Sequence, residues 1–531
     1  MPTDVPGGTH GRSDPGRPVA ARRTHPGFLA LAVLVVAGAA LVRLALLGRQ
    51  SYWIDELFSV NQSAGSLSNL LDVGSTEVHT PLYAGLLWLW TGIGDPHEGW
   101  TRLLSTLCAL ASVVVTHRGL RPARLCEQVR WALITATAAS STSLVYSLET
   151  RSYAVLLLGS VGLTATTLTA ALHILDGGDV SRRTALVWTG WSILAASVHP
   201  FGAVLTLGAA TVLVLVTVRW AERGRLSRAA GWAALAVLGC SLQAAWILLG
   251  RGRAGFAAGT GWIRAPGRDD LWDLLTTTFG SGGLTPRQGG FAWTSWLGVA
   301  AAATLVVVAA GFGSRNRLRH PAGGPAGSAA TAQARAAAIL LALAVIVVGS
   351  AFGVAQVRPL WTLRNLVVVT PALQWGVICL AAAAAGTAAG RRTVATVAVA
   401  LLGAGLVPAA TGLAAPYKTD FRGLVDYLVT AEGQQPDVTV VVLSSGSSDG
   451  WWAASDRPSD DPARRALRAR LTVRPVNSDD VVRVSGPQIV AVYHGVADPR
   501  PDNLVSAVLE RLDDSACRAV PVYGFGMVRC G

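Results

Sequence analysis

The chain has 531 residues, of which 51% are hydrophobic and only 14% charged, and its formal net charge is +13. Soluble domains carry about a quarter charged residues, so this composition predicts a polytopic membrane protein. A basic chain can also bind nucleic acid, but here the arginines form short clusters between apolar runs, which is the pattern of membrane topology. We therefore expect a lipid bilayer, and no nucleic acid, as a partner.

The first 26 residues are rich in Gly, Pro, Arg and Ser without apolar periodicity, which predicts a disordered tail. Arg22 and Arg23 predict that this tail is cytoplasmic. The apolar run 27–47 is long enough to cross a bilayer and longer than the usual core of a signal peptide. A cleaved signal is the alternative, although no convincing small-x-small site precedes Tyr52. We predict a first membrane helix that carries the following residues to the outer face.

The segment 52–59, YWIDELFS, places two adjacent carboxylates, Asp55 and Glu56, directly after this first helix. Such a pair is costly inside hydrocarbon and cheap at its edge, where the neighbouring aromatic side chains also favour the lipid headgroups. We therefore place the pair at the boundary between lipid and water. The alternative is an ordinary solvated loop.

Ten further apolar runs follow, near 102–117, 129–147, 152–173, 185–199, 201–218, 230–249, 291–312, 336–355, 364–385 and 393–413. If each run crosses, the arginine clusters between them fall on the cytoplasmic side, as the positive-inside rule requires. The short, tryptophan-rich segment 81–94 is predicted to be an interfacial helix that does not cross. The sequence thus predicts about eleven spans in a plasma membrane, with residues 27–413 forming an all-α domain.

Residues 414–531 are predicted to be an extracytoplasmic α/β domain. Strand-like runs at 438–443, 489–493 and 520–525 alternate with amphipathic helical stretches near 420–432, 461–470 and 502–513. Cys517 and Cys530 lie in this region at a separation that closes a small loop, so an oxidising compartment would permit a disulfide between them.

Polar residues collect at the outer ends of the apolar runs: Asp55, Glu56, His79, Arg102, Tyr146, Glu149, Arg151, Tyr153, His199, Arg358 and Arg364. A transporter would instead interrupt the middle of its helices with polar groups. This one-sidedness favours a binding site that opens to the outer leaflet, for a substrate with its apolar part in the membrane.

Such residues suit sugar transfer from a lipid phosphate. An attacking hydroxyl must lose a proton, which requires a carboxylate base, and the departing phosphate gains charge, which requires arginine. The interpretation makes Asp55 the base, gives the phosphate to Arg151 and Arg364, and gives hydroxyl binding to His79 or His199. Glu149 would position Arg151 or the sugar. Alternatively, Arg102, Arg151 and Arg364 only extend their charged groups from helix ends toward water. In the same way, His199 could be a turn residue whose hydrogen bonds are made within the protein.

The motifs of these positions are WIDELFS at 53–59, HTPLY at 79–83, RLLS at 102–105, YSLETRSY at 146–153, HPFG at 199–202 and LRNL at 363–366. Their order resembles the membrane glycosyltransferases of the GT-C fold, in particular the branch of protein O-mannosyltransferases and aminoarabinose transferases (glycosyltransferase family 39-like), over residues 28–415. The resemblance implies polyprenyl-phosphate sugar donors and action on the non-cytoplasmic face. It also implies that Asp55 is the central catalytic carboxylate and that Glu56 supports acceptor binding.

The chain departs from that family at two motifs. Thr80-Pro81 stands where two prolines are usual, and Asn365 where tyrosine is common, so the sugar and the acceptor (protein, lipid or polysaccharide) stay open. We assign no metal cofactor, because one Asp-Glu pair with distant histidines is too little to define a site. The tail after residue 414 is predicted to cover the external face and help choose the acceptor. The alternative functions are a flippase or permease for a lipid-linked glycan and a non-catalytic envelope scaffold.

Overall fold

The computed structural model describes most of the membrane domain and part of the tail. The described residues are 25–63, 66–68, 70, 79–94, 97–221, 224–250, 263–280, 300, 302–303, 307, 326–415, 418, 420–429, 439–444, 471–475, 488–493, 517–522 and 525–530. The predicted disordered tail and the predicted span near 291–312 therefore lie almost entirely outside them.

The membrane domain is helical. Its described helices are α1 (Pro26–Leu46), α2 (Ile54–Ser63), α3 (Leu82–Thr91), α4 (Glu98–Gly119), α5 (Glu127–Ala139), α6 (Ser141–Ser147), α7 (Tyr153–Leu175), α8 (Arg182–Val198), α9 (Pro200–Trp220), α10 (Arg225–Gly250), α11 (Arg268–Phe279), α12 (Ala326–Val357), α13 (Thr370–Ala384) and α14 (Ala388–Ala414). Short 3₁₀ turns at Arg121–Ala123 and Asn365–Val369 lie in two of the connections. The helix α15 (Phe421–Val429) follows α14.

Within the described residues, eight helices are long and apolar enough to cross a bilayer, so the chain is a multi-pass membrane protein. Two of the predicted spans that the structure describes are not among these eight helices. The run near 129–147 is divided at Ser140, whose extended backbone and side chain cap α6 by accepting from the Ser143 N–H at 3.2 Å. The run near 185–199 is the 17-residue α8. The total of eleven spans and the side of each terminus stay predictions.

The helix α7 lies at the centre of the bundle. It is apolar on all sides, as a helix buried all round must be, and it packs against α4, α8 and α9. Gly159 permits the approach of α8, since a Cβ there would lie 3.0 Å from the Cβ of Ala195. The segment 148–152 before α7 is thereby held beside α2 and α4.

The helix α3 is too short to cross. Its ten residues span about 15 Å, half of a hydrocarbon core, which agrees with the prediction for 81–94. Trp90 stacks on Trp100 of α4 at a centroid distance of 4.6 Å, and each indole N–H donates to the backbone carbonyl of the other residue. The interfacial location of α3 stays a prediction.

The described part of the tail contains a five-stranded sheet of order β2-β1-β3-β5-β4. Its strands are β1 (Thr439–Ser444), β2 (Leu471–Pro475), β3 (Gln488–Tyr493), β4 (Cys517–Val522) and β5 (Phe525–Cys530). The strand β1 pairs in parallel with β2 and β3, whereas β5 pairs antiparallel with β3 and β4.

The sheet corrects two of the sequence expectations. Two of the predicted strands match β1 and β3, but the run 520–525 covers the end of β4 and the first residue of β5, which fold back on each other. The strand β2 was not predicted, because a helix was expected directly before it. The helices predicted near 461–470 and 502–513 lie outside the described residues, so the α/β domain as a whole stays a prediction.

We expect Cys517 and Cys530 to form a disulfide. Their backbones are directly opposed in the β4–β5 register, where Cα atoms lie about 4.5–5.5 Å apart, within the range that a disulfide bridges. Their side chains lie outside the described part of the structure. Alkylation of the denatured protein followed by mass spectrometry should modify four cysteines before reduction and six after it, because Cys108, Cys126, Cys240 and Cys379 form no disulfide among the described residues. Six modified cysteines in the unreduced protein would contradict this.

Candidate active site

Glu56, in the first turn of α2, is the centre of a buried charge cluster. Its side chain is 0% exposed and receives both Nε and Nη2 of Arg102, each at 2.8 Å. Lys418 Nζ donates at 3.0 Å and the Thr150 backbone N–H at 2.7 Å. Burial alone would raise the pKa of this carboxyl, but Arg102 and Lys418 outweigh it and lower the pKa to about 2. Glu56 is therefore a buried anion.

Arg102 also fixes the loop between α1 and α2. Its guanidinium donates to the carbonyls of Leu47, Gln50 and Ser51 at 3.3, 2.6 and 2.9 Å and lies over the Tyr52 ring. Neither Arg102 nor Glu56 reaches the surface. Both side chains are enclosed by the loop that they hold, and the substrate contact of Arg102 and the acceptor contact of Glu56 stay predictions.

Asp55 points away from this cluster and pairs with Arg364. The two side chains are 24% and 25% exposed, so this pair is accessible where Glu56 is not. Arg364 lies just before the 3₁₀ turn and α13, 309 residues along the chain from Asp55, and its guanidinium lies 5.8 Å from the Trp53 ring centroid. The predicted base and one of the predicted phosphate ligands are thus direct partners.

Arg151 holds the first turn of α2 from a second side. Its Nη1 donates to the Asp55 carbonyl oxygen and to Ser59 Oγ, each at 3.0 Å. With His79 and Thr80 it lines a cleft beside α2. The carboxylate of Glu149, predicted to position Arg151 or the sugar, lies instead 3.7 Å from Lys418.

His79 and His199 come together from distant parts of the chain, with ring centroids 4.6 Å apart. Nδ1 of His199 accepts the Phe201 N–H at 3.1 Å and so caps α9. Burial, and secondly the nearby charge of His79, lower the pKa of His199 well below its usual value. The ring is therefore neutral and carries its proton on Nε2, as a hydrogen-bond donor.

Two aromatic residues complete the group that the sequence singled out. The Tyr153 ring lies 5.8 Å from that of His199, and the Tyr146 ring lies 4.9 Å from that of Tyr153. The guanidinium of Arg364 lies within electrostatic range of Asp55, Glu149 and both tyrosines. Glu149 is also within range of Asp55. The structure thus brings the ten predicted site residues into one region. Six of them are buried, namely Glu56, Arg102, Tyr146, Glu149, Tyr153 and His199, and four are partly exposed, namely Asp55, His79, Arg151 and Arg364. Arg358, the other polar residue that the sequence placed at an outer helix end, is exposed directly after α12.

Lys418 is the member of this site that sequence reasoning missed. It follows α14, outside every motif, yet its side chain is 3% exposed and contacts both Glu56 and Glu149. A signal was present in the composition, because Lys418 is the only lysine among the 44 basic residues of the chain.

Comparison with known proteins adds the fold. No protein-family model and no curated relative matches this chain. The crystal structure of ArnT from Cupriavidus metallidurans in the apo state superposes with a TM-score of 0.53 at 14% identity, covering 95% of this chain and 98% of that one. The same protein bound to undecaprenyl phosphate gives 0.43 at 15% identity, with the same coverage. Arabinofuranosyltransferase AftD from Mycobacteria gives 0.46 at 16% identity, covering 94% of this chain and 40% of that one.

ArnT is an aminoarabinose transferase of the GT-C fold. Its similarity to nearly the whole chain confirms the fold that the motifs predicted: this protein has the GT-C membrane fold.

Proposed function

We propose that this protein transfers a sugar from a polyprenyl-phosphate donor to an acceptor hydroxyl on the extracytoplasmic face of the membrane, in cell-envelope glycan or protein glycosylation. The observation that carries the proposal is the accessible Asp55–Arg364 pair directly beside a fully buried anion, Glu56. One carboxylate of the adjacent pair is enclosed and saturated, and the other is open to a substrate.

The pair supplies both halves of the reaction. Asp55 takes the proton of the attacking hydroxyl while the bond between the anomeric carbon and the phosphate oxygen breaks, and Arg364 stabilises the charge on the departing phosphate. A donor phosphate that binds Arg364 competes with Asp55 for the guanidinium. Donor binding thereby releases the carboxylate for its role as base, and the resting ion pair holds the two groups side by side.

Other residues fit supporting roles. Arg151 fixes the backbone of Asp55 through its carbonyl oxygen, which orients the base. His199, neutral with its proton on Nε2, suits a sugar or acceptor hydroxyl better than a phosphate. The apolar helices around the site give the prenyl chain of the donor a place in the bilayer.

The test is a transfer assay with purified protein in detergent. Labelled undecaprenyl-phosphate mannose, glucose, arabinose and aminoarabinose are each offered with a serine/threonine peptide, a glycolipid or an oligosaccharide. We expect one donor to lose its label to one acceptor class, with release of undecaprenyl phosphate in equal amount. Failure of every pair with folded protein would count against an enzyme.

The flippase and the scaffold give different results in the same system. In proteoliposomes, a flippase would move the intact labelled lipid between leaflets without forming undecaprenyl phosphate. A scaffold would do neither.

A further inference from the structure

The Lys418 ammonium group lies between oxygen atoms of two different segments of the site. Its Nζ donates to Glu56 Oε2 at 3.0 Å and to the Leu148 carbonyl at 3.2 Å, and it forms an ion pair with Glu149 Oε1 at 3.7 Å. An ammonium has three donors around one atom, whereas the planar guanidinium of arginine spreads its donors over a fork. Of the 44 basic residues in the chain, 43 are arginines and one is this lysine. The lysine lies where oxygen atoms from two segments surround a single nitrogen.

Lys418 also joins two segments that carry the site. Glu56 follows Asp55, and Glu149 lies two residues before Arg151, which binds the Asp55 carbonyl. A second contact holds the lysine's own segment in place, since the Arg422 backbone N–H donates to Ser51 Oγ at 2.9 Å and its guanidinium to the carbonyls of Gly48 and Arg49. The residues after α14 are therefore tied to the loop that carries Asp55.

The charges around Glu149 make this cation consequential. The buried carboxylate of Glu149 lies near two other carboxylates, those of Glu56 and Asp55, and near the phenol of Tyr146. The cations that act on it are Lys418 and Arg364. Arg102 in turn acts on Lys418. Burial, and then the two neighbouring carboxylates, raise the pKa of Glu149, and Lys418 is the largest influence that lowers it. Burial also lowers the pKa of Lys418, whereas Glu56 and Glu149 work against that.

We propose, resting on the function proposed above, that Lys418 is a positioning residue of the catalytic site. It bridges Glu56 and Glu149, fixes the distance between segments 54–56 and 148–151 beneath Asp55, and stabilises the charged form of Glu149 opposite Arg364. Lys418, four residues after α14, is thus part of the active centre and not of a separate tail.

The first test needs no substrate. In Lys418→Met, the pKa of Glu149 in the folded protein should be raised further above its unfolded value, so stability falls more steeply as pH rises than in wild type. We expect the deficit in thermal midpoint relative to wild type to grow from pH 5 to pH 8. Arg422→Gln, which loosens the same segment outside the charge cluster, should show a deficit that does not change with pH. Equal, flat deficits in both variants would overturn the proposal.

Glu149 provides the double-mutant control. In the Glu149→Gln background there is no carboxyl to titrate, so adding Lys418→Met should lower the midpoint by an amount that no longer varies with pH. A pH-dependent deficit that persists in this background would show that another group is responsible, and it would remove Glu149 from the proposal.

The second test uses the donor and acceptor found by the transfer assay. In this proposal transfer requires the charged form of Glu149 opposite Arg364, and the cation of Lys418 lowers the pKa of that carboxyl. Lys418→Met should therefore move the acid limb of the kcat profile to higher pH, with little change in the KM for the donor. Arg422→Gln should leave that limb in place. An unmoved limb in active Lys418→Met would overturn the proposal, whereas a wild type without transfer activity would count against the proposed function alone and leave the stability tests decisive.

Discussion

Replacing Asp55 by asparagine is expected to reduce sugar transfer about 100- to 10,000-fold, the usual contribution of a general base. The amide has nearly the shape of the carboxylate but accepts no proton at neutral pH. Because Asp55 is accessible and Glu56 is enclosed, the adjacent carboxylate of Glu56 cannot replace it in this geometry. The measurement is kcat for the donor and acceptor pair identified with wild type, with a check by size exclusion that the variant is folded.

The control is Glu127→Gln, at the start of α5, which removes a half-buried carboxylate that pairs with Arg130 at 3.9 Å. It should transfer sugar at the wild-type rate. Should Asp55→Asn retain wild-type kcat, the base is another residue and the proposed mechanism is wrong. Since the introduced amide does not neutralise Arg364, binding of undecaprenyl phosphate to this variant should be as tight as or tighter than to wild type, which separates loss of chemistry from loss of donor binding.

Replacing Arg102 by methionine is expected to have the largest effect on stability, about 3–5 kcal/mol, because it leaves a buried carboxylate with one of its two cations. It also leaves the carbonyls of Leu47, Gln50 and Ser51 without their shared donor. The free energy of unfolding is measured by SDS titration in mixed micelles. Arg124→Met is the control, since its 3.5 Å pair with Asp176 is exposed and should contribute less than about 1 kcal/mol.

The same cluster predicts a response to acid. The pKa of Glu56 falls from 4.5 to about 2 on folding, so its ionisation stabilises the folded protein above about pH 4.5, and that contribution is lost as the pH falls toward 2. In Arg102→Met the loss should begin at a higher pH. Double replacement Glu56→Gln/Arg102→Met should be less harmful than Arg102→Met alone, because the buried carboxylate is removed together with its cation and Lys418 keeps its ion pair with Glu149. A double variant as unstable as the sum of the single variants would contradict a direct pairing.

Much of the fold and of the site was predictable from local sequence. Apolar runs and arginine clusters are physical requirements of a bilayer, so the long helices followed from them, and the motif order around Asp55 and Arg364 indicated the site region. The division at Ser140 was not predictable from hydropathy, because one capping hydroxyl ends a helix inside an apolar run. The strand β2 was missed because a helix was expected directly before it and because its pairing with β1 is a long-range contact that local sequence does not show.

The roles within the site were harder to predict than its membership. Asp55 and Glu56 are adjacent, and no sequence pattern says which of them the fold encloses; the helical geometry of α2 turns one toward Arg102 and the other toward Arg364. Lys418 was missed because it belongs to no motif and its partners are 362 and 269 residues away in the chain, the latter being the separation of positions 418 and 149. The only signal in the sequence was that the chain contains a single lysine.

The position of Lys418 has a consequence for biogenesis. The ribosome delivers Glu56 near the beginning of synthesis and delivers this cation only after α14, the last of the described membrane helices. A nascent chain that has not finished insertion therefore has an incomplete charge cluster beneath its base. Under the proposed function, a chain halted before residue 418 should therefore be unable to consume lipid-linked sugar.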